Sequence, residues 1–185
     1  MPPLRPAQVT VLVAKNEQAP WDFTCHGARQ EEATLGIGGA DYSLKGFERI
    51  LRVERKTAED YIGSISQGRE RFENEMKHLR QFTFRRVLVE CDSMGAILDG
   101  LGRRGQRTFR SRMTWQSARG TTIHWGRHYC PIEFPGNRDE ARDYAWDFMF
   151  GVAEDWWETY QGLIVHGEAL AREGVGHEQS DRESL

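Results

Sequence analysis

The chain has 185 residues, 38% of them hydrophobic and 11% aromatic, enough to bury one real core and too apolar for a disordered polymer. Its formal net charge of −3 excludes a uniformly basic nucleic-acid coat, although a local positive surface beside a divalent cation stays compatible with that total. No apolar run approaches the ~20 residues of a membrane span, "MPPLRPAQV" lacks the regions of a signal peptide, and Cys25, Cys91 and Cys130 show no pairing pattern, so a reducing, cytoplasmic setting is expected.

The β-branched run "QVTVLVA" at residues 8–14 predicts a first strand, ended by the turn signal "KNEQAPW". Residues 22–33 are mixed and polar and read as a loop or irregular edge. "ATLGIGGADYSL" predicts a short strand with glycine punctuation, and "FERILRVERK" the next one. On that strand Ile50, Arg52, Glu54 and Lys56 share one face, and Leu51, Val53 and Arg55 the other.

From Thr57 the period changes to that of a helix face, through Ala58, Ile62, Ile65, Phe72, Met76 and Leu79. Thr57 and Asp60 form a capping pair, and Gly68 marks a bend. "RRVLVECD" predicts a buried central strand. A short helix at 93–101, an arginine-rich segment, a helix around 111–118 and a strand "TTIHW" follow. Asn137 and Glu140 then cap a last helix whose two apolar stripes, one through Ala145 and Trp156 and one through Trp146 and Trp157, exceed the usual ~100° arc. That excess predicts cover from the sheet and from a second copy of the chain. The polar residues 166–185 read as a disordered tail after a single domain over 1–165. Strands alternating with helices imply an α/β fold with a central mixed sheet.

Phosphodiester hydrolysis needs carboxylates that hold a divalent cation and a cation that aligns the attacking water. Glu54 and Lys56 point to the same side of one strand, and Asp41 precedes that strand by a hairpin-sized interval. Two carboxylates and one ammonium would then share a patch, with the Arg55 carbonyl completing a metal shell. On spacing alone a solvated, charged strand edge is the better fit, because 29% of the chain is charged and an E-x-K triplet is common in such a chain.

The run Asp41-Tyr42 followed by Glu54-Arg55-Lys56-x-x-x-Asp60 resembles the GD…ERKxxxD signature of the XPF-type nuclease domain, a structure-specific branch of the restriction-endonuclease-like PD-(D/E)xK superfamily. The resemblance spans roughly residues 8–160. It includes Ser64 and "QGR" (Gln67, Gly68, Arg69), "RVLVE" ending in Glu90, and the closing "RDEARDYAWDF". It implies a restriction-endonuclease-like core and Mg²⁺- or Mn²⁺-dependent DNA cleavage leaving a 5′-phosphate and a 3′-hydroxyl. Asp41 and Glu54 would bind the metal with Glu17 as a third acid, Lys56 would orient the water, and Arg55 and Asp60 would support the site by contact with each other or with phosphate. Branched or partly single-stranded DNA is the implied partner, with Arg69 among its contacts. The chain departs from the family at the opening motif, where Ala14 and Asn16 stand for its aspartate and arginine, and at Ala40 for a glycine. The resemblance further implies a stand-alone module of a phage or prokaryotic kind, acting in DNA repair or recombination. The rival reading is a catalytically weak nuclease fold that binds DNA or scaffolds a partner.

The segment "LGRRGQRTFRSR" carries Arg103, Arg104, Arg107, Arg110 and Arg112 and reads as a grip on the phosphate backbone. Cys25, His26, His124, His128 and Cys130 match no zinc spacing. "GIGGAD" lacks the further residues of a phosphate loop, so no nucleotide cofactor is expected.

Overall fold

The computed structural model describes residues 2–36, 40–97 and 114–182. Six strands form one mixed sheet in the order β2-β1-β3-β4-β5-β6. They are β1 (Thr10–Ala14), β2 (Arg29–Ala33), β3 (Tyr42–Leu44), β4 (Leu51–Thr57), β5 (Phe84–Glu90) and β6 (Ile132–Gly136). β1 runs parallel to β2 and antiparallel to β3, β3 is antiparallel to β4, and β5 lies between β4 and β6 and runs parallel to both. Helices α1 (Ala58–Ile65), α2 (Arg69–Leu79), α3 (Trp115–His128) and α4 (Arg138–Arg182) flank it. The α/β class with a central mixed sheet is therefore the fold of this chain.

The period-2 rule sorts the core into two layers. Val11, Val13, Leu51, Val53 and Leu88 face α4, where Ala141, Ala145, Trp146, Met149, Val152 and Ala153 cover them. Val87 and Val89 face the opposite way, toward Tyr61, Ile65, Phe72, Met76 and Leu79 of α1 and α2 and Ala118 and Trp125 of α3. The side chains of Glu54 and Lys56, in register with Val87 and Val89, belong to the α1–α2 side, while Arg55, in register with Leu88, belongs to the α4 side.

Several elements differ from their sequence-based expectation. Of the two readings of residues 22–33, loop or irregular edge, residues 29–33 take the second and form the edge strand β2, held to β1 by a parallel ladder. Its sequence RQEEA carries no apolar alternation because neither face of that edge is deeply covered. The single helix expected from Thr57 to Leu79 is two helices. Ser66 turns its hydroxyl back onto the Ile62 carbonyl at 2.7 Å, and the Gly68 N–H reaches the Gly63 carbonyl at 2.9 Å before α2 begins. "TTIHW" is not a strand but the middle of α3. Ala118, Thr121, Thr122 and Trp125 recur there on one buried helical face, and the Thr122 hydroxyl is satisfied by the Ala118 carbonyl at 3.0 Å. Packing against Tyr61 and Phe72 thus overrides β-branched propensity. The following strand is β6 instead.

Both expected caps are present. Thr57 Oγ1 accepts from the Asp60 N–H at 3.1 Å, and Asn137 Oδ1 accepts from Glu140 N at 3.2 Å while Glu140 returns a carboxylate oxygen to Asn137 N at 2.8 Å. The backbone of α4 is helical through Arg182, including the polar segment from residue 166. Trp156, expected in the core stripe, is 52% exposed and meets the sheet side edge-on through Phe47 at 6.2 Å between ring centroids. Among the described residues no helix is long and apolar enough to cross a membrane.

Candidate active site

Strand β3 stays paired with β4 only at Tyr42↔Val53. The Asp41 N–H still donates to the Val53 carbonyl at 3.0 Å, but the next ladder position is taken by a side chain: the Arg55 N–H donates to Asp41 Oδ2 at 2.7 Å. A buried backbone donor must find a partner, and here that partner is a carboxylate. Beside this point, between the end of β4, α1 and the start of α2, lies a cleft of about 600 Å³. Its lining includes Glu17, Asp41, Glu54, Lys56, Asp60 and Arg71.

Asp41 and Glu54 are both buried. Glu54 Oε1 accepts from Lys56 Nζ at 2.7 Å, whereas Glu54 Oε2 is buried with no hydrogen-bond partner. Burial pushes the Asp41 carboxyl up to about 7, with the Glu17 charge adding to the rise against the Arg55 N–H and Lys56. Burial, and next the charge of Asp41, pushes Glu54 up to about 8, with Lys56 opposing. Two acids are therefore held together at a cost that only a cation or a proton relieves.

Burial pulls the Lys56 ammonium down, but Glu54, Glu75 and Asp41 outweigh it and hold its pKa above the ordinary value. Lys56 Nζ also lies 4.7 Å from the centroid of the Phe72 ring and 3.9 Å from Glu75. Lys56 is thus a fixed, protonated donor.

The other residues of the signature are sorted by the two faces of β4. Arg55 turns to the α4 side, where Nε and Nη2 bond Glu90 at 2.7 and 3.1 Å and Nη1 bonds Glu17 at 3.1 Å. Asp60 accepts from the Thr57 hydroxyl at 2.8 Å, so of the two expected supports for the site, contact between Arg55 and Asp60 or contact with phosphate, the first gives way to these separate partners. Arg69 lies outside the cleft lining and is anchored on α3, bonded to the Thr121 hydroxyl and stacked 5.1 Å from the Trp125 ring. Beside the ion-paired Arg55, the cleft is lined by Arg71, whose side chain is 78% exposed and meets Glu75 at 3.5 Å. Sequence spacing missed Arg71 because two arginines flank Glu70 at the start of α2, and only the helix's docking decides which one faces the cleft. Arg103, Arg104, Arg107, Arg110 and Arg112 lie outside the described residues.

Among the described residues no group of three or more His, Cys, Asp or Glu side chains is close enough to hold a metal ion. The cleft offers a smaller donor set, two buried carboxylates with one orphaned oxygen. That set has the chemistry of a hard divalent cation such as Mg²⁺, which keeps several waters and uses one or two protein carboxylates beside substrate phosphates.

Neither a protein-family model nor a curated protein sequence matches this chain. Among solved structures the chain is similar to XPF from Aeropyrum pernix, with a TM-score of 0.53 and 16% sequence identity over 76% of this chain and 59% of that one. The α/β fold of this chain is similar to the fold of that XPF structure. It is the restriction-endonuclease-like α/β core that the sequence resemblance implied, and the chain spans less than two thirds of that XPF chain's length.

Proposed function

We propose that this protein is a metal-dependent DNA endonuclease that selects its substrate by structure more than by base sequence. The observation that carries the reading is the convergence of Asp41, Glu54 and Lys56 on one cleft, with Glu54 Oε2 lacking any partner, on a nuclease-type fold. Asp41 and Glu54 would hold Mg²⁺ or Mn²⁺, with Glu17, ion-paired to Arg55, as a third acid of the lining. Bound there, the ion would polarise the phosphoryl oxygen and lower the pKa of the attacking water.

The remaining roles follow from the side chains themselves. Lys56 stays protonated, so it donates toward a phosphate oxygen or the water and stabilises developing negative charge; it is not the base. Asp41 spends Oδ2 on the Arg55 N–H, which orients its carboxylate and leaves Oδ1 for the ion. Arg55 is bonded to Glu90 and Glu17, so it supports the site and leaves phosphate contact to the exposed Arg71. The arginine-rich sequence at 103 to 112 is a further candidate for contact with the phosphate backbone on its composition alone. Exposed Trp156, Tyr160 and Leu163 on α4 support pairing of two copies through that helix.

Cleavage of labelled flap, fork and single-stranded DNAs with Mg²⁺, Mn²⁺ or EDTA tests the reading, with wild type beside Asp41→Asn. Metal-dependent cutting lost in the variant is expected. DNA binding with no cutting in either metal would overturn it in favour of a binding scaffold, the reading that Ala14 at the family's aspartate position favours.

A further inference from the structure

Glu90 ends β5 on the α4 side of the sheet, and it receives more donors than any role in the signature explains. Its Oε1 accepts from Trp21 Nε1 at 2.8 Å, from Arg55 Nε at 2.7 Å and from Arg138 Nη1 at 3.3 Å, and its Oε2 accepts from Arg55 Nη2 at 3.1 Å. Its side chain is only 10% exposed. Arg138, at the start of α4, also donates to the Ala19 and Pro20 carbonyls at 2.8 Å each. The face of Trp21 lies 5.8 Å from the Arg55 guanidinium, and the Trp21 backbone N–H donates to the Tyr42 hydroxyl at 2.9 Å. One carboxylate therefore ties together the turn after β1, the end of β4, the end of β5 and the first turn of α4.

Two cleft acids depend on that tie. Glu17 Oε1 is fixed by Arg55 Nη1 and by the Ala19 N–H at 2.8 Å, and both of those partners are themselves held in the Glu90 cluster. The Arg55 backbone, whose N–H orients Asp41, is held from its side chain by the bidentate bond to Glu90. We propose that Glu90 is the positioning residue of this site: by clamping the Arg55 side chain it sets Glu17 and the Arg55 N–H, and through them the placing of Asp41 in the cleft. The inference rests on the endonuclease reading for its metal and on the cluster's geometry alone for the positioning.

A double-mutant cycle tests it, with Mn²⁺ affinity measured by electron paramagnetic resonance on the full chain. Glu90→Gln, which removes the charge and the bidentate grip, is expected to weaken Mn²⁺ binding by roughly five- to tenfold, within the range seen when outer-shell partners are changed. Glu17→Gln is expected to weaken it similarly, and the double variant by less than the product of the two single losses, because Glu90 acts through Arg55 partly on Glu17 and partly on the Arg55 N–H. Hydrogen exchange supplies a readout without metal: the Arg55 amide should exchange at least tenfold faster in Glu90→Gln, with the Val53 amide unchanged. Arg138→Ala, at the exposed rim of the cluster, should give the same pattern in smaller measure and serves if Glu90→Gln does not fold. Losses that multiply in the double variant, or an unchanged Arg55 amide in a folded variant, would overturn the proposal. A wild-type protein that binds no Mn²⁺ would remove the metal reading beneath it, while the Arg55 amide would still decide the positioning.

Discussion

The Arg55 N–H donates to Asp41 Oδ2 at 2.7 Å, so a side chain stands where the ladder between β3 and β4 would otherwise continue. That bond couples the opening of the sheet to the placing of the acid. The strands cannot part without leaving a buried donor, and the acid that satisfies the donor is the one the parting exposes to the cleft.

Glu54→Gln should abolish cleavage and at the same time stabilise the metal-free protein. Burial and the Asp41 charge raise the Glu54 pKa, so its ionised form is disfavoured in the fold. Removing that charge should stabilise by about 1 kcal/mol or more near pH 8, or about 2–4 °C in melting temperature for a chain of this size. Thermal melts of both proteins with EDTA check this. A large loss of stability would mean that the ion pair with Lys56 outweighs the burial.

Stability of the metal-free protein should fall as pH rises. Asp41 and Glu54 sit at about 7 and about 8 in the fold, above their ordinary values of 3.8 and 4.5. Between those limits the folded chain binds more protons than the unfolded one, so each unit of pH upward disfavours folding. Urea midpoints across the window should decline, and the Asp41→Asn, Glu54→Gln double variant should flatten the decline.

Mn²⁺ should reverse that loss. An ion binding only the folded state stabilises it by about 2.7 kcal/mol at a hundred times its dissociation constant. The gain should be largest at the alkaline end, where both acids are ionised, and EDTA should cancel it. A rise in melting temperature of equal size in the Asp41→Asn, Glu54→Gln double variant would locate the ion elsewhere.

Arg71→Ala and Arg69→Ala should separate two roles. Arg71 lines the cleft with an exposed guanidinium, so its loss should lower the salt slope of DNA binding by about one with little change in stability. Arg69 packs on Thr121 and Trp125, so its loss should cost about 1 kcal/mol of stability and leave the slope in place. Fluorescence titrations at several salt concentrations, beside thermal melts, distinguish them.

Local rules were enough wherever one element decides the outcome. The period-2 face of β4 sets Glu54 beside Lys56 and turns Arg55 away, and the caps at Thr57 and Asn137 follow from side-chain oxygens reaching backbone N–H groups within one turn. The resemblance of the Asp41 to Asp60 run carried the fold type as well. Contacts between elements were needed for the rest. β2 has no apolar pattern of its own and exists through its ladder to β1. "TTIHW" is helical because α1 and α2 cover Thr122 and Trp125, which no local propensity reveals. The choice between Arg69 and Arg71, and the gathering of Trp21, Arg55, Glu90 and Arg138 from four segments, depend on distances across 69 residues or more of chain in some pairs. Sequence periodicity orders side chains along a single element; only packing decides which elements meet, and the candidate site lies where they do.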